Sequence, residues 1–196
     1  MMNFLAHLYL SGEDPKIKTG NFIGDFVKGG NLSDRFEPAI VKGIRLHRKI
    51  DEFTDNHLVV LESKKRLRPK YKHYSPVIVD VFYDHFLAVN WTDFSEVSLT
   101  DFALNAYHII EQYRAIVPEQ VNQMMPYMIS GNWLVSYAQV DGIHRALSGM
   151  SRRTPYESKM DEASHDLRLY YEQFQEEFRL FFPQLRAHVV QWLQHN

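Results

Sequence analysis

The chain has 196 residues, 45% of them hydrophobic and 23% charged, with a formal net charge of −2 and no cysteine. That length suits one domain, 1–196, with a real core; the charge gives no general attraction to nucleic acid; and the absence of thiols excludes disulfides, thiolate ligands and a cysteine nucleophile. No apolar run reaches about 18 residues, so no membrane span is expected. The apolar segment Met1–Leu10 lacks a basic leader and a small-residue cleavage site, so no signal peptide is read and the cytoplasm is the expected location.

In chain order, apolar residues recur at helical rather than alternating spacing. From Phe36 to Phe53 they fall at Ile40, Ile44, Leu46, Ile50 and Phe53. A second helix is predicted over Val77–Trp91. Its first residues, Val77–Val81, could pass for a strand, but the continuation through Phe82, Phe86 and Leu87 favours a helix by length. Ser98-Leu-Thr-Asp101 resembles a capping box and predicts a helix start, followed by helical spacing over Phe102–Val117. Further helices are predicted over Leu134–Leu147 and Ser164–Leu193, with Pro183 ending or kinking the last. Pro118, Pro126 and Pro155 sit where turns or helix starts are expected. The whole reads as an all-α single-domain bundle of about seven to nine helices.

Acids and histidines interrupt these apolar faces. In Gly43-Ile-Arg-Leu-His-Arg-Lys-Ile-Asp-Glu-Phe-Thr-Asp55, the residues His47, Asp51 and Asp55 are spaced by four and share one side of a helix. In Asp80-Val-Phe-Tyr-Asp-His-Phe-Leu-Ala88, Asp80 and Asp84 repeat that spacing and His85 points about 100° further round. His7 and Asp25 stand alone in two further apolar segments. Taken singly, His7 reads as a hydrogen-bonded core histidine and the 45–55 segment as a salt-bridged face. Together they change the balance: a carboxylate buried among Phe82, Tyr83, Phe86 and Leu87 needs a partner, and a divalent cation is one. Nitrogen and oxygen ligands without sulfur suit Mn²⁺, Mg²⁺, Fe²⁺ or Zn²⁺. No nucleophile elbow, phosphate-binding glycine loop or dinucleotide fingerprint is present.

The segments Asn3-Phe-Leu-Ala-His-Leu, Gly20-Asn-Phe-Ile-Gly-Asp-Phe-Val-Lys-Gly29, Gly43 to Asn56, Asp80 to Ala88, and Trp133 through Arg153 resemble those of acyl carrier protein phosphodiesterases, over most of the chain and in order. The resemblance implies hydrolysis of the phosphodiester joining 4′-phosphopantetheine to a serine of acyl carrier protein. It also implies a divalent metal, typically Mn²⁺, and distant kinship to the HD phosphohydrolases, whose His-Asp order is reversed here in Asp84-His85. The expected metal ligands are Asp25, His47, Asp84 and His85, with His7 and Asp51 as further ligands or as supports for one. Asp51, Asp55 or Asp80 is expected to steady a ligating histidine or act in catalysis. Arg48 or the pair Arg152 and Arg153 is expected to clamp phosphate.

Carrier proteins are small and acidic, so the cationic run Lys64, Lys65, Arg66, Arg68, Lys70 and Lys72 is expected to dock the partner, its alternative being a solvated helix end and loop. Two other readings stay open at this point. One is an HD-type phosphohydrolase acting on a nucleotide or other small phosphoester; the other is a non-catalytic helical binding module.

Overall fold

The computed structural model describes residues 4–196, and every regular element among them is helical. Met1–Asn3, where the apolar first segment begins, lie outside the described residues. Two short helices, α1 (Phe4–Leu10) and α2 (Pro15–Phe22), lead into a 3-10 turn at Gly24–Phe26. Three longer helices follow: α3 (Pro38–Asn56), α4 (Leu58–Tyr71) and α5 (Ser75–Val89). Then come α6 (Leu99–Gln112), α7 (Glu119–Ser130), the four-residue α8 (Trp133–Ser136), α9 (Val140–Ser151), α10 (Ala163–Leu169) and α11 (Tyr171–His195).

The all-α expectation holds, but the elements are more numerous than expected because local breaks divide two apolar runs. Gln139 is extended (φ −113°, ψ 135°) and splits the predicted 134–147 helix into α8 and α9. Tyr170 likewise separates α10 from α11. Two prolines sit inside helices rather than at their ends. Pro126 lies inside α7 and Pro183 inside α11, neither at a start nor at an end. A proline removes one intrahelical bond. In α11 that loss is outweighed by the apolar face Phe174, Phe178, Phe181, Phe182, Leu185 and Val189, which stays buried across it.

Helix starts follow their chemistry. The Asp14 carboxylate accepts hydrogen bonds from the Lys16 and Ile17 amides at 2.8 and 3.1 Å, and Pro15 opens α2. Ser98 accepts from the Asp101 amide at 3.0 Å and donates to the Asp101 carboxylate at 2.6 Å, as its spacing predicts.

Helix α5 is the centre of the molecule, with twelve of its fifteen residues buried, and α11 lies across it. On the other side α2 and α3 pack unusually close. A Cβ at Gly20 would stand 2.2 Å from the Ile40 carbonyl oxygen, and one at Gly43 would stand 2.2 Å from that of Ile17. Only glycine at both positions lets these backbones touch, and this contact brings Asn21 beside His47. Among the described residues no helix is long and apolar enough to cross a membrane.

Candidate metal centre

Four segments meet at one cluster. Helix α1 brings His7, α2 brings Asn21, the 3-10 turn brings Asp25, and α3 brings His47 and Asp51. The His7 and His47 rings stack with centroids 4.0 Å apart and planes 20° apart. Gly24 makes room for them, because a Cβ there would fall 2.2 Å from the His47 ring.

One asparagine orients both rings. The Asn21 amide nitrogen donates to the His7 carbonyl at 2.8 Å and to Ser11 Oγ at 2.9 Å, which fixes which way the amide faces. Its Oδ1 then accepts from His7 Nδ1 at 2.7 Å, and its backbone carbonyl accepts from His47 Nδ1 at 2.8 Å. With each Nδ1 donating, both Nε2 atoms are turned toward the carboxylates. His7 Nε2 lies 3.3 Å from Asp51 Oδ1. His47 Nε2 lies 3.3 Å from both Asp51 Oδ2 and Asp25 Oδ1. These contacts are ionic and poorly aligned: neither buried Nε2 has a hydrogen-bond partner. Among the described residues, His7, His47 and Asp51 are the acidic or histidine group whose ligand atoms lie within 4.8 Å of one another. Two convergent, unsatisfied imidazole nitrogens with carboxylate oxygens between them form a donor set that fits a divalent cation.

The electrostatics agree. Burial alone lowers the pKa of His47, but the contacts with Asp25 and Asp51 outweigh it and raise the value to about 9. Burial, then the neighbouring His47, lowers that of His7 despite Asp51. Burial would push Asp51 up, yet His47 and His7 hold it well below the usual carboxylate range. Asp25 is lowered too, burial being outweighed by His47.

The other predicted residues lie elsewhere. Asp84 is wholly buried on α5, where Oδ2 accepts from the Leu5 amide and Oδ1 from the Ala6 amide, both at 2.9 Å. It caps α1 from another helix, and burial, opposed by these two bonds, raises its pKa to about 7. His85 has both ring nitrogens engaged, Nδ1 with the Tyr137 carbonyl at 2.7 Å and Nε2 with the Tyr171 hydroxyl at 3.0 Å. Asp55 is bound to Lys64 at 2.7 Å. Asp80 is buried, and its carboxyl is pushed well up by burial and then by the Asp51 charge. Arg48 donates to the carbonyls of Val27 and Gly29, at 3.5 and 3.0 Å, and so braces the loop that follows Asp25.

The cationic run proves to be mostly helix, on α4, and mostly paired. Lys64 meets Asp55, Lys65 meets Glu62, Arg66 grips Glu177 with two nitrogens, and Lys70 meets Glu162 and Asp166. Arg68 and Lys72 have no ion pair among the described residues, and both border a recess with Lys64 and Lys65. Asn21 and Gly24 are the site residues that sequence reasoning passes over. Their signal was available: an amide and a second glycine inside Gly20-Asn-Phe-Ile-Gly-Asp25.

A family model described as acyl carrier protein phosphodiesterase matches residues 2–185. A curated relative of that name from Photorhabdus laumondii is 34% identical over 93% of this chain and 92% of its own length. Another from Escherichia coli is 35% identical over 95% of this chain and 96% of its own. No solved structure matches the chain.

Proposed function

The chain belongs to the acyl carrier protein phosphodiesterase family, and we propose that its reaction runs on a divalent cation held by His7, His47, Asp51 and Asp25. The reaction is hydrolysis of the phosphodiester between 4′-phosphopantetheine and a serine of holo-acyl carrier protein, giving the apo protein and 4′-phosphopantetheine. One observation carries the metal: two buried Nε2 atoms face a pair of carboxylates and have no hydrogen-bond partner. Mn²⁺ is the proposed ion, with Mg²⁺, Fe²⁺ and Zn²⁺ as alternatives of compatible chemistry. A cation held by these residues would offset charge on the phosphoryl oxygens and lower the pKa of a bound water.

The chain's own groups do the rest. Asn21 locks both imidazoles with Nδ1 protonated, so Nε2 is the free donor atom. Asp25 and Asp51 keep the cluster anionic near neutral pH. Asp80, buried and pushed well up by burial and then by the Asp51 charge, is proposed to steady the cluster from α5. Asp55 holds Lys64 beside it. Arg48, Arg152 and Arg153 are proposed to hold the phosphate oxygens. Kinship to the HD phosphohydrolases and a cytoplasmic setting belong to the same reading. The test is incubation of the purified chain with holo-carrier protein and Mn²⁺. Mass spectrometry then reads loss of the phosphopantetheine mass; an unchanged carrier protein in every divalent metal sinks the reading.

A further inference from the structure

Two recesses share one rim. A cleft of about 240 Å³ opens beside α8 and α9, with Trp133, Tyr137, Ala146 and Met150 on its walls. A shallower groove of about 600 Å³ runs from the same rim over Met124 and Tyr127 of α7 to Phe26. Trp133, Gly149, Arg152 and Arg153 border both. Each recess begins in a segment that carries a member of the metal cluster. Phe4, in the cleft wall, precedes His7 by one helical turn, and Phe26, in the groove, follows Asp25.

The walls are largely carbon, and the charge on them is all guanidinium: Arg145 in the cleft, Arg152 and Arg153 on the rim. None of these arginines has an ion pair among the described residues. Arg153 gives its Nε–H to the Gly149 carbonyl at 3.1 Å, which holds the side chain along the rim with its terminal nitrogens uncommitted. An occupant therefore needs a compact anion at one end and a narrow, mainly apolar body at the other. A narrow phosphorylated chain meets both needs. Resting on the proposed phosphodiester reaction, we propose that this cleft takes the pantetheine arm of the substrate, its phosphate end at Arg152 and Arg153 and its geminal methyl groups against Trp133. Pockets of this kind, apolar with a few placed polar groups, are the usual small-ligand sites.

Gly149 makes the idea testable. A Cβ there meets nothing within 4 Å, so a side chain at this position starts into open space at the shared rim. Leucine is also a better helix former than glycine, so Gly149→Leu is expected to fold. Calorimetric titration of the full chain with 4′-phosphopantetheine should show binding that Gly149→Leu weakens roughly tenfold or more, since a few methylenes in a pocket change affinity on that scale. Its Tm should be no lower than that of the unmodified chain. Trp133 offers an independent reading: the titration should change tryptophan emission, and Trp133→Phe should remove that change. Replacing Arg152 and Arg153 by Gln should weaken 4′-phosphopantetheine but not phosphate-free pantetheine.

No heat and no emission change with the unmodified chain overturns the proposal. So does Gly149→Leu binding as tightly as the unmodified chain. Cleavage of holo-carrier protein is scored separately by mass. A chain that binds the arm but leaves carrier protein intact loses the reaction and keeps the cleft; one that cleaves while ignoring Gly149→Leu loses the cleft and keeps the reaction.

Discussion

His47 and His85 are 4% and 1% exposed, both on helices rich in apolar residues, and their uses are opposite. His85 has spent both nitrogens, one on the Tyr137 carbonyl and one on the Tyr171 hydroxyl, and so ties α5 to two neighbouring segments. His47 has spent one, on the Asn21 carbonyl, and keeps the other facing two carboxylates. The adjacent acids divide in the same way. Asp84 gives both oxygens to backbone amides, whereas Asp51 gives its oxygens to two imidazoles. The two histidines share burial and residue type; what separates them is the lone pair left over once neighbours have been served.

The sharpest way to break this comparison is to truncate one member of each region. His47→Ala should remove high-affinity Mn²⁺ binding and lower carrier-protein hydrolysis by roughly 10³-fold, about 4 kcal/mol of lost catalysis. Asp84→Ala should leave two buried amides unpaired, costing about 3 kcal/mol in all. For a domain of this size that lowers Tm by about 6–12 °C, while the Mn²⁺ affinity of the folded fraction stays the same. Calorimetric melting beside metal titration separates the two, and an Asp84→Ala protein that melts normally yet binds no Mn²⁺ would move Asp84 among the ligands.

A smaller effect is expected one step away from the donor atoms. Asn21→Ala deletes the acceptor for His7 Nδ1 but keeps the backbone carbonyl that orients His47. Such a supporting contact is worth about 10- to 100-fold in metal affinity. Equal affinity in Asn21→Ala would mean that the stacked rings hold themselves.

Next comes pH. In the metal-free protein the His47 pKa is raised to about 9, so a proton occupies Nε2 at neutral pH and must leave before a cation enters. Apparent Mn²⁺ affinity should therefore rise about tenfold per unit between pH 7 and 9, with one proton released per ion, and level off above. The sign for stability is the reverse. Charged His47 supports the metal-free fold fully below its ordinary value of 6.5, and that support is lost as pH rises through about 9. Titration in a weakly buffered solution counts the proton; a flat affinity across this range removes the carboxylate contacts from the account.

The least change is expected from the cationic face. Arg66 belongs to the fold through Glu177, so the useful reversals are Lys65→Glu and Arg68→Glu. Exposed charges contribute up to about 1 kcal/mol each, so KM for carrier protein should rise only several-fold at low salt and converge with that of the unmodified chain as salt increases. An unchanged KM at low salt assigns docking to another face.

Much of this was legible in the residues. Spacing by four put His47 and Asp51 on one side of a helix, and apolar periodicity placed α3 and α5 nearly to their ends. Two things were hidden for a physical reason. For Asp84 and His85 the sequence shows the residue types but not the donors and acceptors that long-range packing delivers, here the amides of α1 and the carbonyl of Tyr137. The motif shows the Asn21 amide but not its backbone share of the work, the carbonyl that accepts from His47 Nδ1. The prolines in α7 and α11 do not end their helices for a related reason: local preference yields where a continuous apolar face is already buried.

The cap that Asp84 places on α1 also bears on the order of events during synthesis. Helix α1 has seven residues, too few to persist alone in water. Its amide partner is 78 to 79 positions further along the chain. While the polypeptide is emerging, His47 and Asp51 are made well before α5, but α1 still lacks the carboxylate that caps it. Closing so long a loop is slow compared with forming a helix, and its entropy is recovered only when both ends are held. The cap on α1 therefore forms only once α5 has been made.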